Sequence, residues 1–255
     1  MVALVVFLPL LAAAIAGFFG RTIGDRGSQI VTCGALVLSA IFGILVFRDV
    51  MGQSAPHVQT LVTWISAGGV DVAWSLRLDT LSGVMILVVT IVSAMVHIYS
   101  IGYMAHDHSI PRFMAYLSLF TFFMLMLVTA NDFVQLFFGW EGVGLCSYLL
   151  IGFWYDRDTA DAAAIKAFVV NRIGDFGFAL GIFAVFVLFG SLDFETVFGK
   201  APGATHEVMN FLGWEVPALT LACILLFVGA MGKSAQLGLH TWLPERWRVR
   251  PRSRP

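Results

Sequence analysis

Seven stretches of the chain are almost entirely apolar and long enough to cross a bilayer as helices, which takes about 20 residues each. They cover residues 1–19, 29–47, 80–101, 113–130, 132–154, 164–190 and 216–243. The fourth and fifth stretches are joined by little more than "AND", which predicts a tight helical hairpin. The pattern predicts an all-α polytopic membrane protein with about seven transmembrane helices.

One loop, residues 48–79, departs from the helical pattern. In "VDVAWSLRLD", which begins at Val70, apolar and polar residues alternate strictly, and the preceding "HVQTLVTWI" is rich in β-forming residues. With "SAGG" as the turn, residues 57–79 are predicted to form an extramembrane β-hairpin. Lys and Arg are slightly more frequent in the odd-numbered links between helices, which favours an outside N-terminus and an outside hairpin.

Composition supports the membrane assignment. The 255 residues are 59% hydrophobic and 12% charged, whereas soluble domains average about 25% charged residues. Cys33, Cys146 and Cys223 all lie in apolar runs and have no zinc-site or disulfide spacing, so they are interpreted as small buried hydrophobes. The first stretch lacks a basic leading region, which favours a membrane helix over a signal peptide.

Four charged residues lie well inside the apolar stretches: Glu141, Arg172, Asp175 and Lys233. A charge at the centre of a membrane helix costs about 2.5–3.5 kcal/mol on insertion scales, so these groups must face one another or water. They could form a proton relay, because desolvation shifts Glu and Lys toward titration near neutral pH. Alternatively, they could be ion pairs that only fix helix register. Asp175 and Arg172 are three residues apart, share a helix face and can pair locally.

Lys233 lies in the run "GAMGKSAQLGLHTWLP", which is interrupted by glycines and closed by Pro244. Such interruptions are typical of broken helices in transporters, where unwound backbone lines a cavity. We therefore expect Lys233 to face a hydrated cavity, with His240 able to pass the proton on. His97 is interpreted as a hydrogen-bonded interface residue, the alternative being a proton carrier.

The sequence contains no phosphate loop, dinucleotide fingerprint or iron–sulfur cysteine set. His106 and His108 flank Asp107, but nothing else supports a metal site there. We expect no cofactor, metal or redox chemistry in this chain.

Four motifs resemble the antiporter-like L subunit of respiratory complex I, whose mitochondrial counterpart is subunit 5, and more distantly the large subunits of Mrp-type sodium/proton antiporters. They are "RLDTLSGVMILVVTIVSAMVHIYSIGYM", "FFGWEGVGLCSYLLIGFW", "AAIKAFVVNRIGDFGF" and "GAMGKSAQLGLHTWLP". The resemblance extends to about Pro244. It implies part of an inverted-repeat antiporter-like fold, with residues 1–110 forming helices one to three and 111–244 an incomplete first repeat.

The resemblance also implies a role for each charged residue. Lys233 would be the central proton-binding group, and Glu141 would modulate it. Asp175 and Arg172 would flank the channel, and residues 57–79 would tie neighbouring subunits together.

The resemblance further implies a proton-translocating subunit of NADH:quinone oxidoreductase in a bacterial inner membrane or, as the alternative, a mitochondrial one. Its partners would be other membrane subunits of complex I, the lipid bilayer and protons, with no nucleic acid. NADH, FMN, iron–sulfur clusters and quinone would belong to the partner subunits. Two alternatives remain open: a cation/proton antiporter subunit, and a structural membrane module with buried ion pairs.

The last eleven residues, 245–255, contain five arginines. A basic membrane-surface anchor is one interpretation. We instead expect a one-base frameshift, because codons exist for residues 244–255 that give "PDAMAGPTPVSA" when one base is restored, which resembles the family's own continuation.

Overall fold

The first two predicted helices form the two arms of one hairpin. The computed structural model describes residues 1–52, 55–68 and 70–246, and assigns helix α1 to Val2–Val50. Gly24 interrupts α1 with φ 70° and ψ −177°, and the Ser39 hydroxyl donates to the Val5 carbonyl at 2.8 Å. Thirty-four residues of straight helix would separate these two groups by about 50 Å. The chain therefore doubles back at Gly24, where only glycine readily adopts a positive φ.

The next four helices follow the predicted stretches closely, and shorter helices come after them. They are α2 (Thr80–Tyr103), α3 (Ile110–Val128), α4 (Phe133–Ile151), α5 (Asp158–Phe189), α6 (Phe194–Lys200), α7 (Ala218–Lys233) and α8 (Leu243–Arg246), with a 3-10 turn at Ala201–Ala204. Among the described residues, α1 to α5 are long and apolar enough to cross a membrane, and α7 is a shorter apolar helix. The prediction of a multi-pass helical membrane protein is confirmed.

The seventh predicted helix, residues 216–243, is wrong in its second half. Helix α7 ends at Lys233, and the backbone then turns through positive φ values at Ala235 (50°) and Gly238 (92°). A right-handed helix needs negative φ at every residue, so it cannot continue through these two positions. The predicted break is present, and it begins directly after the lysine.

Two β-hairpins lie between helices. Strands β1 (His57–Ala67) and β2 (Val70–Leu78) pair in a two-stranded sheet, as predicted for residues 57–79. A second antiparallel hairpin, β3 (Val208–Phe211) with β4 (Trp214–Pro217), was not predicted. Its turn residues Leu212 and Gly213 have φ 54° and 86°, the positive values that tight hairpin turns require.

Packing divides the chain into two units. The first comprises residues 1–62, 73–131 and 138–150, and its apolar core joins both arms of α1 to β2, α2 and α3. The second comprises residues 63–72, 132–137 and the chain from 151 onward, where α5 packs along α7. The predicted division into residues 1–110 and 111–244 stays a prediction. The predicted Arg-rich tail, 245–255, lies almost wholly outside the described residues.

Candidate functional site: a buried ion pair beside a helix break

Glycines bring α5 and α7 into backbone contact in the second unit. A Cβ atom at Gly174 would lie 3.1 Å from the Gly232 Cα and 3.2 Å from the Val228 carbonyl oxygen. Two turns further along α5, a Cβ at Gly181 would lie 2.8 Å from the Leu226 backbone nitrogen. With Gly177 between them, these glycines are spaced three and four residues apart, which places them on one face of α5 and permits the close approach.

The close approach places Lys233 beside Asp175. The ammonium nitrogen Nζ of Lys233 lies 3.4 Å from Oδ2 of Asp175, and the two form a salt bridge. The Asp175 side chain is 4% exposed and that of Lys233 is 20% exposed. Each residue follows a contact glycine, Gly174 or Gly232, so the geometry of the pair depends directly on the helix spacing.

Lys233 lies in the last turn of α7. The last carbonyls of a helix lack intrahelical partners and carry partial negative charge, which stabilises a cation in the last turn. The indole Nε1–H of Trp242 donates to the Gly232 carbonyl at 3.2 Å, and the Gln236 N–H donates to the Met231 carbonyl at 3.0 Å. Trp242 thus holds the segment after the break against the end of α7.

Two other predicted site residues lie at the surface of this unit. Arg172 is exposed, with its guanidinium carbon 4.7 Å from the centre of the Phe168 ring, a cation–π geometry. His240 is also exposed. The local pairing of Arg172 with Asp175 and the proton-passing role of His240 stay predictions.

Glu141 belongs to the first unit, where it lies on α4. Its side chain is partly buried, and its Oε1 atom is fully buried. A Cβ at Gly139 would lie 2.7 Å from the Leu127 backbone nitrogen, and one at Gly142 would overlap the Phe123 ring. Because these glycines have no side chain, α4 can pack closely against α3 next to Glu141. The implied modulation of Lys233 by Glu141 stays a prediction.

A pair of aspartates outside the membrane-spanning helices was not predicted. Oδ1 of Asp132 accepts the backbone N–H groups of Val134 and Gln135 at 2.9 and 2.8 Å, which caps the start of α4. Asp193 caps α6 in the same way and lies opposite Asp132 in a β-bridge. Burial raises the pKa of Asp132, and repulsion from Asp193 raises it further against the lowering effect of the two N–H donors. The spacing Asp-x-x-Thr before α6 could have indicated one of these caps.

Neither the close packing of α5 on α7 nor the Trp242 hydrogen bond was predicted from the sequence. The glycines around Lys233 were noted, but the matching row of Gly174, Gly177 and Gly181 on α5 was not. Their spacing is the small-residue pattern of tightly packed membrane helices, so the signal was present. Trp242 gives no comparable signal, because its partner is a backbone carbonyl.

Chemically, the arrangement pairs the ammonium group of Lys233 with the buried carboxylate of Asp175. A lysine ammonium is a proton donor whose charge state responds to burial and to a nearby carboxylate. In a low-dielectric interior, a change of a few tenths of an ångström in the pair alters its electrostatic energy far more than it would in water.

Comparison with known proteins identifies related sequences. The family described as "NADH:quinone oxidoreductase/Mrp antiporter, TM" matches residues 130–253, and "NADH-Ubiquinone oxidoreductase (complex I), chain 5 N-terminus" matches residues 64–114. NADH-ubiquinone oxidoreductase chain 5 of Triticum aestivum is 54% identical over 243 residues, covering 95% of this chain and 36% of the relative. NADH-quinone oxidoreductase subunit L of Rhodobacter capsulatus is 53% identical over 252 residues, covering 96% and 35%.

A solved structure shares the fold. The Mrp complex from Dietzia sp. DQ12-45-1b aligns with a TM-score of 0.78 and 25% sequence identity, covering 96% of this chain and 25% of that one. The chain spans little more than a third of the length of the curated relatives it matches.

Proposed function

The chain belongs to the family of membrane subunits shared by NADH:quinone oxidoreductase and Mrp antiporters, and from that membership we propose that it forms part of a proton-translocating subunit of NADH:quinone oxidoreductase. The observation that carries this proposal is the Lys233–Asp175 ion pair, 3.4 Å long and set at the break of an apolar helix. Ionisable groups at membrane depth are costly and typically mark an ion pathway.

The proposed role of Lys233 is to bind and release the transported proton. Asp175 stabilises the charged ammonium, and lengthening of the pair favours proton loss. Glu141, which contributes a carboxylate from α4, sets the charge balance of the pathway. Arg172 and His240 are proposed to flank the pathway, Arg172 from α5 and His240 from the segment after the break.

Redox chemistry is assigned to other subunits. We propose that NADH, FMN, iron–sulfur clusters and quinone bind to partners, and that this chain contacts other membrane subunits of the complex, lipid and protons. The bacterial inner membrane is the proposed location, because Rhodobacter capsulatus subunit L is among the most similar relatives.

The test substitutes Lys233 in the full-length subunit of an assembled respiratory complex. Lys233→Ala should abolish proton pumping, and Lys233→Arg should also impair it although the charge is kept, because arginine does not release its proton near neutral pH. Lys200→Ala is the matched control: the Lys200 Nζ donates to the Phe189 carbonyl at the end of α5, away from the pair.

NADH-driven acidification of vesicles should be measured alongside the amount of assembled complex. Normal pumping by Lys233→Arg would reduce Lys233 to a counter-ion and would support the structural-module alternative. Loss of assembly in Lys233→Ala alone would say nothing about pumping, which is why the arginine variant decides.

A cation/proton antiporter subunit is the second candidate, favoured by the structural likeness to the Mrp complex. Copurification separates the two: the proposed subunit should be isolated with quinone-reductase activity, whereas an antiporter subunit should not.

A further inference from the structure

A buried histidine on α2 lies in a hydrogen-bonded group that the proposed mechanism does not use. His97 is completely buried in the first unit. Its ring nitrogen Nδ1 lies 2.7 Å from the Ser93 carbonyl oxygen, and Nε2 lies 3.0 Å from the Ser118 hydroxyl on α3. The Ser93 and Thr121 hydroxyls bond to each other, and Thr121 also donates to the Leu117 carbonyl at 3.0 Å.

These contacts fix the proton positions around a neutral imidazole. A carbonyl oxygen can only accept, so Nδ1 must carry a hydrogen and donate to the Ser93 carbonyl. In a neutral ring, Nε2 is then an acceptor, and the Ser118 hydroxyl donates to it. Thr121 uses its own proton on the Leu117 carbonyl, so the Ser93 hydroxyl must donate to Thr121.

The same group can accommodate a protonated ring with one small change. If Nε2 gains a proton, it donates to the Ser118 oxygen, and the Ser118 hydroxyl rotates away toward a carbonyl of its own helix, a bond that serines in helices commonly make. The Ser93 and Thr121 bonds stay as they are. Both charge states of His97 are therefore hydrogen-bonded without any movement of the backbone.

The helices packed against α2 carry their charged residues at a bend or near a helix end. On α1, the charged residues are exposed at the Gly24 bend or near the helix end, and on α3 the charged residue is in the first turn. The remaining titratable side chains of these helices are a thiol and a phenol. In chain order, these residues are Arg21, Asp25, Arg26, Cys33, Arg48, Asp49, Arg112 and Tyr116.

We propose that His97, together with Ser118, is a second proton-binding site, on α2 and α3. The site binds a proton reversibly at Nε2, and the Ser118 hydroxyl acts as the switchable partner. This revises the interpretation of His97 as an interface residue only. The proposal rests on contacts within the first unit and does not depend on the proposed role of Lys233.

The test is a pH titration of the full chain in lipid bilayers, with its six histidines labelled with ¹⁵N and followed by solid-state NMR. The difference spectrum of His97→Gln identifies the His97 signal, and exposed histidines outside the proposed pathway, such as His57, serve as internal references. The His97 signal should be the neutral Nδ1–H form at high pH and become reversibly doubly protonated within about pH 4 to 8.

Ser118→Ala should lower the titration midpoint of His97 by about one pH unit, because a hydrogen bond to a charged ring is stronger than one to a neutral ring. Ser100→Ala is the matched control, since Ser100 is buried one turn further along α2 and donates to the Val96 carbonyl in its own helix. This variant should leave the midpoint unchanged.

Two results would overturn the proposal. One is a His97 signal that stays neutral across the whole range while the reference histidines titrate. The other is an equal midpoint in Ser118→Ala and Ser100→Ala. If His97→Gln fails to fold, His97→Asn assigns the signal instead.

Discussion

The contact between Gly174 and α7 predicts that Gly174→Ala destabilises the second unit. The added methyl carbon would lie 3.1 Å from the Gly232 Cα and 3.2 Å from the Val228 carbonyl oxygen. Unstrained carbon contacts are about 3.5–4.0 Å, so α5 and α7 must separate by several tenths of an ångström. Both obstructing atoms belong to the backbone, so no side-chain rotation can relieve the contact.

Packing strain dominates the expected effect. Overpacking costs about 1–3 kcal/mol, and the better helix propensity of alanine returns about 1 kcal/mol, which leaves a net loss of roughly 0–2 kcal/mol. Separation also weakens the Lys233–Asp175 attraction. At an effective dielectric constant of about 20, lengthening the pair from 3.4 Å to about 4.0 Å reduces the attraction by only ~0.7 kcal/mol.

The measurement is unfolding of the purified chain in mixed micelles by increasing detergent denaturant, followed by circular dichroism. Gly34→Ala is the matched control, because Gly34 also lies in a membrane helix but, among the described residues, no atom beyond its chain neighbours and its own helix backbone lies within 4 Å of its added Cβ. The control should be unchanged or up to about 1 kcal/mol more stable. Equal stabilities of Gly174→Ala and Gly34→Ala would refute the close-packing explanation of the site.

Three further predictions concern other parts of the chain. Burial, and repulsion from Asp193, raise the pKa of Asp132. The free energy of unfolding should therefore fall as the pH rises from about 4 through this raised pKa, because the buried carboxylate becomes charged. Asp132→Asn keeps the capping acceptor and should therefore unfold at higher denaturant than wild type at pH 7 but not near pH 3; a constant difference would contradict this. Single cysteines at the exposed positions Gln59 and Thr63 of β1 should be labelled from the outer face only, and labelling from the inner face alone would invert the topology. In the full-length subunit, Glu141→Gln should assemble normally and pump poorly, whereas Glu141→Asp should retain more activity; normal vesicle acidification by Glu141→Gln would remove the carboxylate from the pathway.

A membrane-spanning helix needs about 20 apolar residues, so the hydropathy of the sequence locates such helices directly. The β1–β2 hairpin was equally visible through its period-two alternation. The second hairpin was missed because its strands have four residues each, too few for alternation to stand out from an apolar helix nearby. The end of α7 was misplaced because a helix break depends on backbone dihedral angles at Ala235 and Gly238, which hydropathy does not record.

The residues of the candidate site could be predicted from the sequence, but the contacts between them could not. Isolated charges in apolar stretches single out Asp175 and Lys233, because the cost of a buried charge requires a compensating partner. Which partners meet is set by the approach of α5 to α7, a long-range property of two separated segments. The Trp242 contact with a backbone carbonyl has no sequence pattern at all, and the His97 group was undervalued because hydroxyls on two helices become a network only once the helices are paired.

Under the proposed function, the position of the helix break would let one segment both hold and release charge. Ending α7 at Lys233 places this residue in the last turn of the helix, whose carbonyls carry partial negative charge. One of those carbonyls, that of Gly232, is engaged by Trp242, and Asp175 supplies the full negative charge across the glycine contact. A displacement that moves the segment after the break away from α7 would remove the Trp242 contact and loosen the end of the helix that carries Lys233. The stabilisation of the ammonium would then fall through movement of a broken helix, without any change in the rigid packing of Gly174 against Gly232.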